Sequence, residues 1–215
     1  MRSRPRLAKA PRPSGRMAGR PPPFIGLTGG IGAGKSEALA ALERLGAATL
    51  STDAVVHELL EGDELRDELV ARFGSAVAPN GRIDRSAVAS VVFEQPDERK
   101  WLEGVLWPRV GERVESWRRE SLEREPPPRA LVVEVPLLFE SGMDAVFDHT
   151  IAVVAAEAVR AERAGARGHA GLESRTSRQL SQKEKAERAE YVVENDGDLE
   201  ELEAKLSSLL AKLGL

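Results

Sequence analysis

Apolar and polar positions along this 215-residue chain follow two rhythms. Short continuous apolar runs occur near 24–28, 47–50, 131–135, 150–155 and 191–193, each bounded by Gly, Pro, Ser or charged residues. Continuous runs of this length are the pattern of strands buried on both faces, as in a parallel sheet. Between them apolar residues return at three- and four-residue spacing near 35–45, 54–60, 63–72, 86–93, 97–123 and 199–213, which is helical periodicity. Strands alternating with helices predict an α/β fold around a parallel sheet.

Punctuation supports these elements. Gly46 sits where a helix-ending glycine belongs, Asn80-Gly81 marks a turn, and Asp84 is placed to cap the helix that follows. Pro96 opens the long helix, and Pro108 is expected to interrupt or kink it. Trp101 and Trp117 fall at helical spacing with Leu102, Val105, Leu106, Val110 and Val114, a pattern of core packing. Leu199, Leu202, Leu206, Leu209, Leu210 and Leu213 predict one apolar face on the terminal helix. The helical block 60–124 stands between two strand-like runs and reads as a substrate-binding insertion. Residues 1–23 show neither period and are expected to be disordered.

The first strand run leads into Gly29-Gly30-Ile31-Gly32-Ala33-Gly34-Lys35-Ser36, which fits the phosphate-binding P-loop pattern. Its glycines let successive backbone N–H groups face one anion, and the loop opens a helix whose N-terminus favours negative charge. Lys35 is placed to reach the β- and γ-phosphates, and the Ser36 hydroxyl to ligate Mg²⁺. The chain is therefore expected to bind a nucleoside triphosphate with Mg²⁺.

Composition narrows the setting. There are no cysteines, so disulfides and thiolate zinc sites are excluded, and a cytoplasmic location is expected. No apolar run approaches the roughly 18 residues of a membrane span. The chain carries −4 overall. Residues 1–23 contribute +7, so the remainder stands at −11, which argues against a nucleic-acid-binding body. The basic, proline-rich leader has no apolar segment of a secretory signal, and Met17 offers an alternative start. His57, His149 and His169 are scattered and suggest no metal cluster.

Three further features carry chemistry. Asp53 follows Ser51-Thr52 at the end of the second strand run, where ligands bind in open α/β sheets; a helix N-cap is the alternative on position alone. Glu134 lies at the end of the third run, where an acid assists Mg²⁺ in P-loop enzymes; the alternative is an acid that accepts backbone N–H bonds. Arg160, Arg163, Arg167, Arg175 and Arg178 follow the fourth run, either as a solvated face or as a lid that neutralises transferring oxygens.

From about residue 24 onward the chain resembles the bacterial dephospho-CoA kinase family. The matching motifs are residues 25–36, the Asp53 segment, Ile83-Asp84-Arg85, Val91-Val92-Phe93, Val135-Pro136-Leu137-Leu138-Phe139-Glu140-Ser141-Gly142, an Arg- and Gln179-bearing lid, and Ala189-Glu190 through Asn195 and Gly197. The resemblance implies a P-loop kinase fold: a five-stranded parallel sheet flanked by helices, a helical acceptor-binding insertion and a small lid. It implies core segments at 24–59, 125–158 and 186–215, the insertion at 60–124 and the lid at 159–185. It further implies transfer of the ATP γ-phosphoryl to the ribose 3′-hydroxyl of dephospho-CoA, the last step of coenzyme A synthesis.

In that reading Asp53 is the general base, Lys35 and the loop amides hold phosphates, Ser36 and Glu134 serve the metal, and Arg163 clamps the phosphates. Asn195 and Gly197 lie near adenine. Phe73, Ile83, Arg85, Leu138, Phe139 and Glu140 face the acceptor. The implied protein is a monomer or weak homo-oligomer.

The chain departs from the family where Ser51-Thr52-Asp53 replaces Asp-Ala-Asp and Trp107-Pro108 replaces His-Pro. Glu134 and Glu190 stand where Asp is frequent, and Arg160 and Arg167 rival Arg163. A nucleotide-dependent switch is the other class considered; a GTPase of that kind needs Asn-Lys-x-Asp, a string the chain lacks.

Overall fold

A computed structural model describes residues 21–166 and 179–215, with side chains placed at 21–163 and 179–215. The expectations for residues 1–20, and for Arg167, Arg175 and Arg178, lie outside the described residues. Five strands form one sheet: β1 (Phe24–Gly29), β2 (Ala48–Ser51), β3 (Leu131–Glu134), β4 (His149–Val154) and β5 (Tyr191–Glu194). Their order is β2-β3-β1-β4-β5, and every pairing is parallel. All five carboxyl ends therefore lie along one edge, where Gly29, Ser51, Glu134, Val154 and Glu194 end their strands.

Strand side chains alternate between two helical layers. Ile25, Leu27, Val132, Ile151 and Val153 pack toward α1 (Lys35–Arg44) and the terminal helix (Leu199–Lys212), against Ala38, Leu42, Leu202, Leu206 and Leu210. Phe24, Leu131 and Val133 pack the opposite way, against Val55, Val110, Val114, Trp117 and Phe147. The continuous apolar strands read from the sequence are continuous because both sheet faces are covered.

Between β2 and β3 the chain forms α2 (Thr52–Glu61), α3 (Asp63–Phe73), a 3₁₀ turn (Ser75–Val77), α4 (Arg85–Glu94) and α5 (Pro96–Leu122). Asp84 caps α4 by accepting from the Ser86 and Ala87 N–H groups at 2.9 and 3.2 Å. Leu65, Leu69, Val77 and Val88 form a separate core there, covered by Phe73, Ile83, Trp101 and Val105 among others. After β4 comes α6 (Glu157–Ala166), and α7 (Gln182–Arg188) precedes β5. Ser181 and Glu184 close a reciprocal capping box at the start of α7. The terminal helix is α8.

Several expectations change. Pro108 does not interrupt its helix: α5 runs unbroken for 27 residues. One end of α5 packs on the sheet through Val110, Val114 and Trp117 and the other on the small core through Trp101 and Val105, so tertiary burial outweighs the lost backbone bond. Leu199 is 57% exposed rather than on the apolar face, because it is the first residue of α8 and lies beyond the layer that buries Leu202. Asp53 is not an N-cap; Ser51 holds that position without a side-chain cap bond, and Asp53 lies in the first turn of α2. No described helix is long and apolar enough to cross a membrane.

Candidate active site

The P-loop leaves β1 at the centre of the sheet and wraps into α1. Gly32 and Gly34 adopt φ of 75° and 90°, left-handed values that disfavour a side chain. Space enforces the same choice. A Cβ at Gly29 would overlap the Val153 carbonyl oxygen on β4, and one at Gly34 would overlap the Asn195 amide. Ala33 is fully buried, and its N–H donates to the Gly30 carbonyl at 3.2 Å. Ser36 is exposed in the first turn of α1.

Lys35 Nζ donates to the Gly29 and Gly30 carbonyls, both at 3.3 Å, and stands 4.0 Å from Glu134 Oε1. This holds the ammonium over the loop that it must serve. Glu134 is 6% exposed at the end of β3. Its Oε2 accepts from Ser51 Oγ at 2.6 Å, and its backbone carbonyl accepts from Thr52 Oγ1 at 3.0 Å. Burial pushes the Glu134 carboxyl above its ordinary value, opposed by the Ser51 bond and the Lys35 charge and reinforced by the Asp53 charge. Asp53 is exposed, within electrostatic range of that carboxylate.

The Ser36 hydroxyl and the Glu134 and Asp53 carboxylates are hard oxygen donors, the set that suits a magnesium ion. The Glu134 carboxylate is desolvated and feels two lysines, Lys35 at 4.0 Å and Lys185 farther off. Among the described residues no cluster of three or more His, Cys, Asp or Glu side chains could hold a metal ion.

Asn195 and the arginines form the opposite wall. Asn195 is 4% exposed; its Nδ2 donates to the Ala33 carbonyl at 3.0 Å and its N–H to the Val154 carbonyl at 2.7 Å. Arg163 Nη1 donates to the Asn195 carbonyl at 2.9 Å. Arg160 lies closer to the phosphate loop: its Nε donates to the Ile31 carbonyl at 2.9 Å, and its backbone packs on Gly32. Gly197 lies exposed two residues beyond Asn195.

The expected acceptor residues divide. Leu138 is fully buried and Phe139 8% exposed, both in the core that packs on the sheet. Phe73 packs edge-on against Trp101 at 5.4 Å, and Ile83 joins the same small core. Arg85 is exposed and bonded to His57 Nδ1. With Arg66, Arg82, Ile83, Asp63 and Gly81, these two line a cleft of about 580 Å³. His57 is one turn beyond Asp53 on α2. Glu140 turns inward to Lys185 at 3.1 Å.

Sequence reading missed Ser51 as the partner of Glu134, Arg66 and Arg82 in the cleft, and Lys185. The register that sets Ser51 opposite Glu134 has no local signal. Lys185 sits in the charged run 182–188, which reads as solvated, yet it is completely buried.

Comparison with known proteins agrees with this geometry. A family model described as dephospho-CoA kinase matches residues 23–201. A dephospho-CoA kinase from Moorella thermoacetica is 42% identical over 134 residues, covering 61% of this chain and 63% of that protein. One from Thermobifida fusca is 33% identical over 194 residues, covering 88% and 95%. A Thermus thermophilus protein of known crystal structure superposes with a TM-score of 0.75 at 36% identity, covering 90% of this chain and 99% of that one. The chain spans 63% and 54% of the lengths of the curated relatives from Moorella thermoacetica and Symbiobacterium thermophilum.

Proposed function

Because the chain belongs to the dephospho-CoA kinase family, we propose that it transfers the γ-phosphoryl group of ATP to the ribose 3′-hydroxyl of dephospho-CoA, giving coenzyme A and ADP. The observation that carries this is the meeting of three groups at one sheet edge: the P-loop after β1, Asp53 after β2 and Glu134 after β3.

In this reading the loop amides and Lys35 bind the β- and γ-phosphates. Asp53 accepts the 3′-hydroxyl proton as that oxygen bonds to the γ-phosphorus, while the bond to the bridging oxygen breaks and ADP leaves. Ser36 and Glu134 would hold a magnesium ion, whose charge would offset that of the phosphates. Arg160 supplies positive charge from above the loop, while Arg163 serves through its bond to Asn195. In the cleft Arg66 is already paired with Asp63 and Asp67, while Arg82 and Arg85 are placed to meet phosphate groups of an acceptor. In this reading the helices at 60–124 are the acceptor-binding part. Exclusion of water matters because water competes as acceptor.

The test is ADP release in the presence of MgATP with dephospho-CoA, and separately with shikimate, gluconate and nucleosides. Turnover with dephospho-CoA well above the others is expected. Turnover with another acceptor and none with dephospho-CoA would overturn the proposal.

A further inference from the structure

We propose that Lys185 is a positioning residue for phosphoryl transfer, acting with Glu140 as a buried latch that fixes the chain leaving β3 beneath the catalytic edge. The proposal rests on the kinase reading above and goes beyond it, since the bonds of Lys185 run to Pro136 and Glu140.

Lys185 is among the largest fully buried side chains of the described chain, and an ammonium is costly to bury. Its Nζ donates to the Pro136 carbonyl and lies 3.1 Å from Glu140 Oε1. The Pro136 carbonyl is two residues beyond Glu134, and it also accepts from Thr28 Oγ1 at 3.3 Å. Thr28 directly precedes the P-loop. One carbonyl is thus held from the strand that feeds the phosphate loop and from α7, on the far side of the sheet order from β2. Glu140 Oε1 also accepts the Leu180 N–H at 2.8 Å, while its Oε2 is buried without a hydrogen-bond partner.

A packing role alone does not call for this arrangement. A methionine would fill much of the same space without the desolvation cost, and buried ion pairs are often replaced by apolar groups at no loss of stability. What a methionine cannot do is hold the Pro136 carbonyl and add a positive charge felt by Glu134 and Lys35, both within electrostatic range of Lys185. Its effect on the reaction is therefore through Glu134, whose carboxylate it keeps in register with the loop.

The test compares wild type, Lys185→Met, Lys185→Arg and Glu140→Gln, each with its thermal midpoint, its kcat and its KM for ATP. Lys185→Met is expected to lower kcat by roughly tenfold to a hundredfold, as small misplacements at a reacting centre do. KM for ATP should stay within about threefold. Lys185→Arg should recover part of kcat, since it keeps the charge and a donor. If Lys185→Met does not fold, Glu140→Gln decides instead, because it keeps shape and removes the counter-charge; a fall in its kcat is expected. A folded Lys185→Met, or failing that Glu140→Gln, with kcat within twofold of wild type would reduce the latch to packing and overturn the proposal. Slow ATP hydrolysis without acceptor is measured on the same proteins. If wild type fails with dephospho-CoA, the acceptor reading fails, while the hydrolysis series still judges the latch.

Discussion

Asn195→Ala tests whether the P-loop is held from behind. In the folded chain the Asn195 amide donates to the Ala33 carbonyl at 3.0 Å, with both residues buried. Truncation leaves that carbonyl without this donor, a cost of about 1–3 kcal/mol. For a chain of this size the thermal midpoint should fall by roughly 2–12 °C, at ~2–4 °C per kcal/mol. The loss is local to the loop at Gly34, whose left-handed backbone sits against the same amide. If it passes in full to nucleotide binding, KM for ATP rises about 5- to 150-fold, while KM for the acceptor changes little. Asn195→Asp separates bond from cavity: it keeps the shape but places an acceptor against the Ala33 carbonyl, so it should do at least as much harm. Steady-state kinetics with each substrate varied, and a melting curve, read all of this. An Asn195→Ala protein with wild-type KM for ATP would refute the buttress, as would an Asn195→Asp protein that behaves like wild type.

The remaining predictions concern other parts of the site. Asp53→Asn should lower kcat about 10²- to 10⁴-fold with ATP affinity nearly unchanged, read by kinetics and nucleotide titration; near-normal kcat would remove Asp53 from the chemistry. Gly29→Ala should abolish nucleotide binding or folding, because the new Cβ meets the backbone of β4 rather than a movable side chain, and calorimetric titration with ATP checks it. Arg160→Ala should raise KM for ATP about tenfold by freeing the Ile31 carbonyl and removing a charge-assisted bond, measured beside Arg163→Ala. Burial holds the Lys185 ammonium below the ordinary value of 10.5. The unfolded chain then binds the extra proton between the depressed value and 10.5, so stability lost to this group is greatest below that window and is recovered as pH rises through it. Urea midpoints for wild type should therefore gain on those for Lys185→Met between neutral pH and pH about 10; a difference that does not move with pH would contradict it.

What the sequence made legible was whatever produces a local pattern. Both faces of the sheet are covered, so each strand became an apolar run, and the P-loop is written in consecutive residues whose backbone angles demand glycine. Asp53 and Glu134 were readable as strand-end acids because that position alone carries meaning in an α/β sheet. Pairings across the sheet were not readable. Ser51 meets Glu134 only through the β2–β3 register, and the buttress from Asn195 to Ala33 spans 162 residues. Lys185 was hidden by its neighbours, since a buried lysine in a run of exposed charges has the same letters as a solvated one. Leu138 and Phe139 were expected to face the acceptor, yet their side chains lie in the core. The next residue, Glu140, is spent on Lys185.

The most direct measurement is product identification by ³¹P NMR after incubation with MgATP and dephospho-CoA, alongside the 3′-deoxy analogue of the acceptor. A new phosphomonoester at the ribose 3′ position, formed with stoichiometric ADP and absent with the analogue, is the result predicted from the meeting of the P-loop, Asp53 and Glu134 at one edge. Phosphorylation elsewhere on the acceptor, or none while ATP is consumed on a different small molecule, would contradict it.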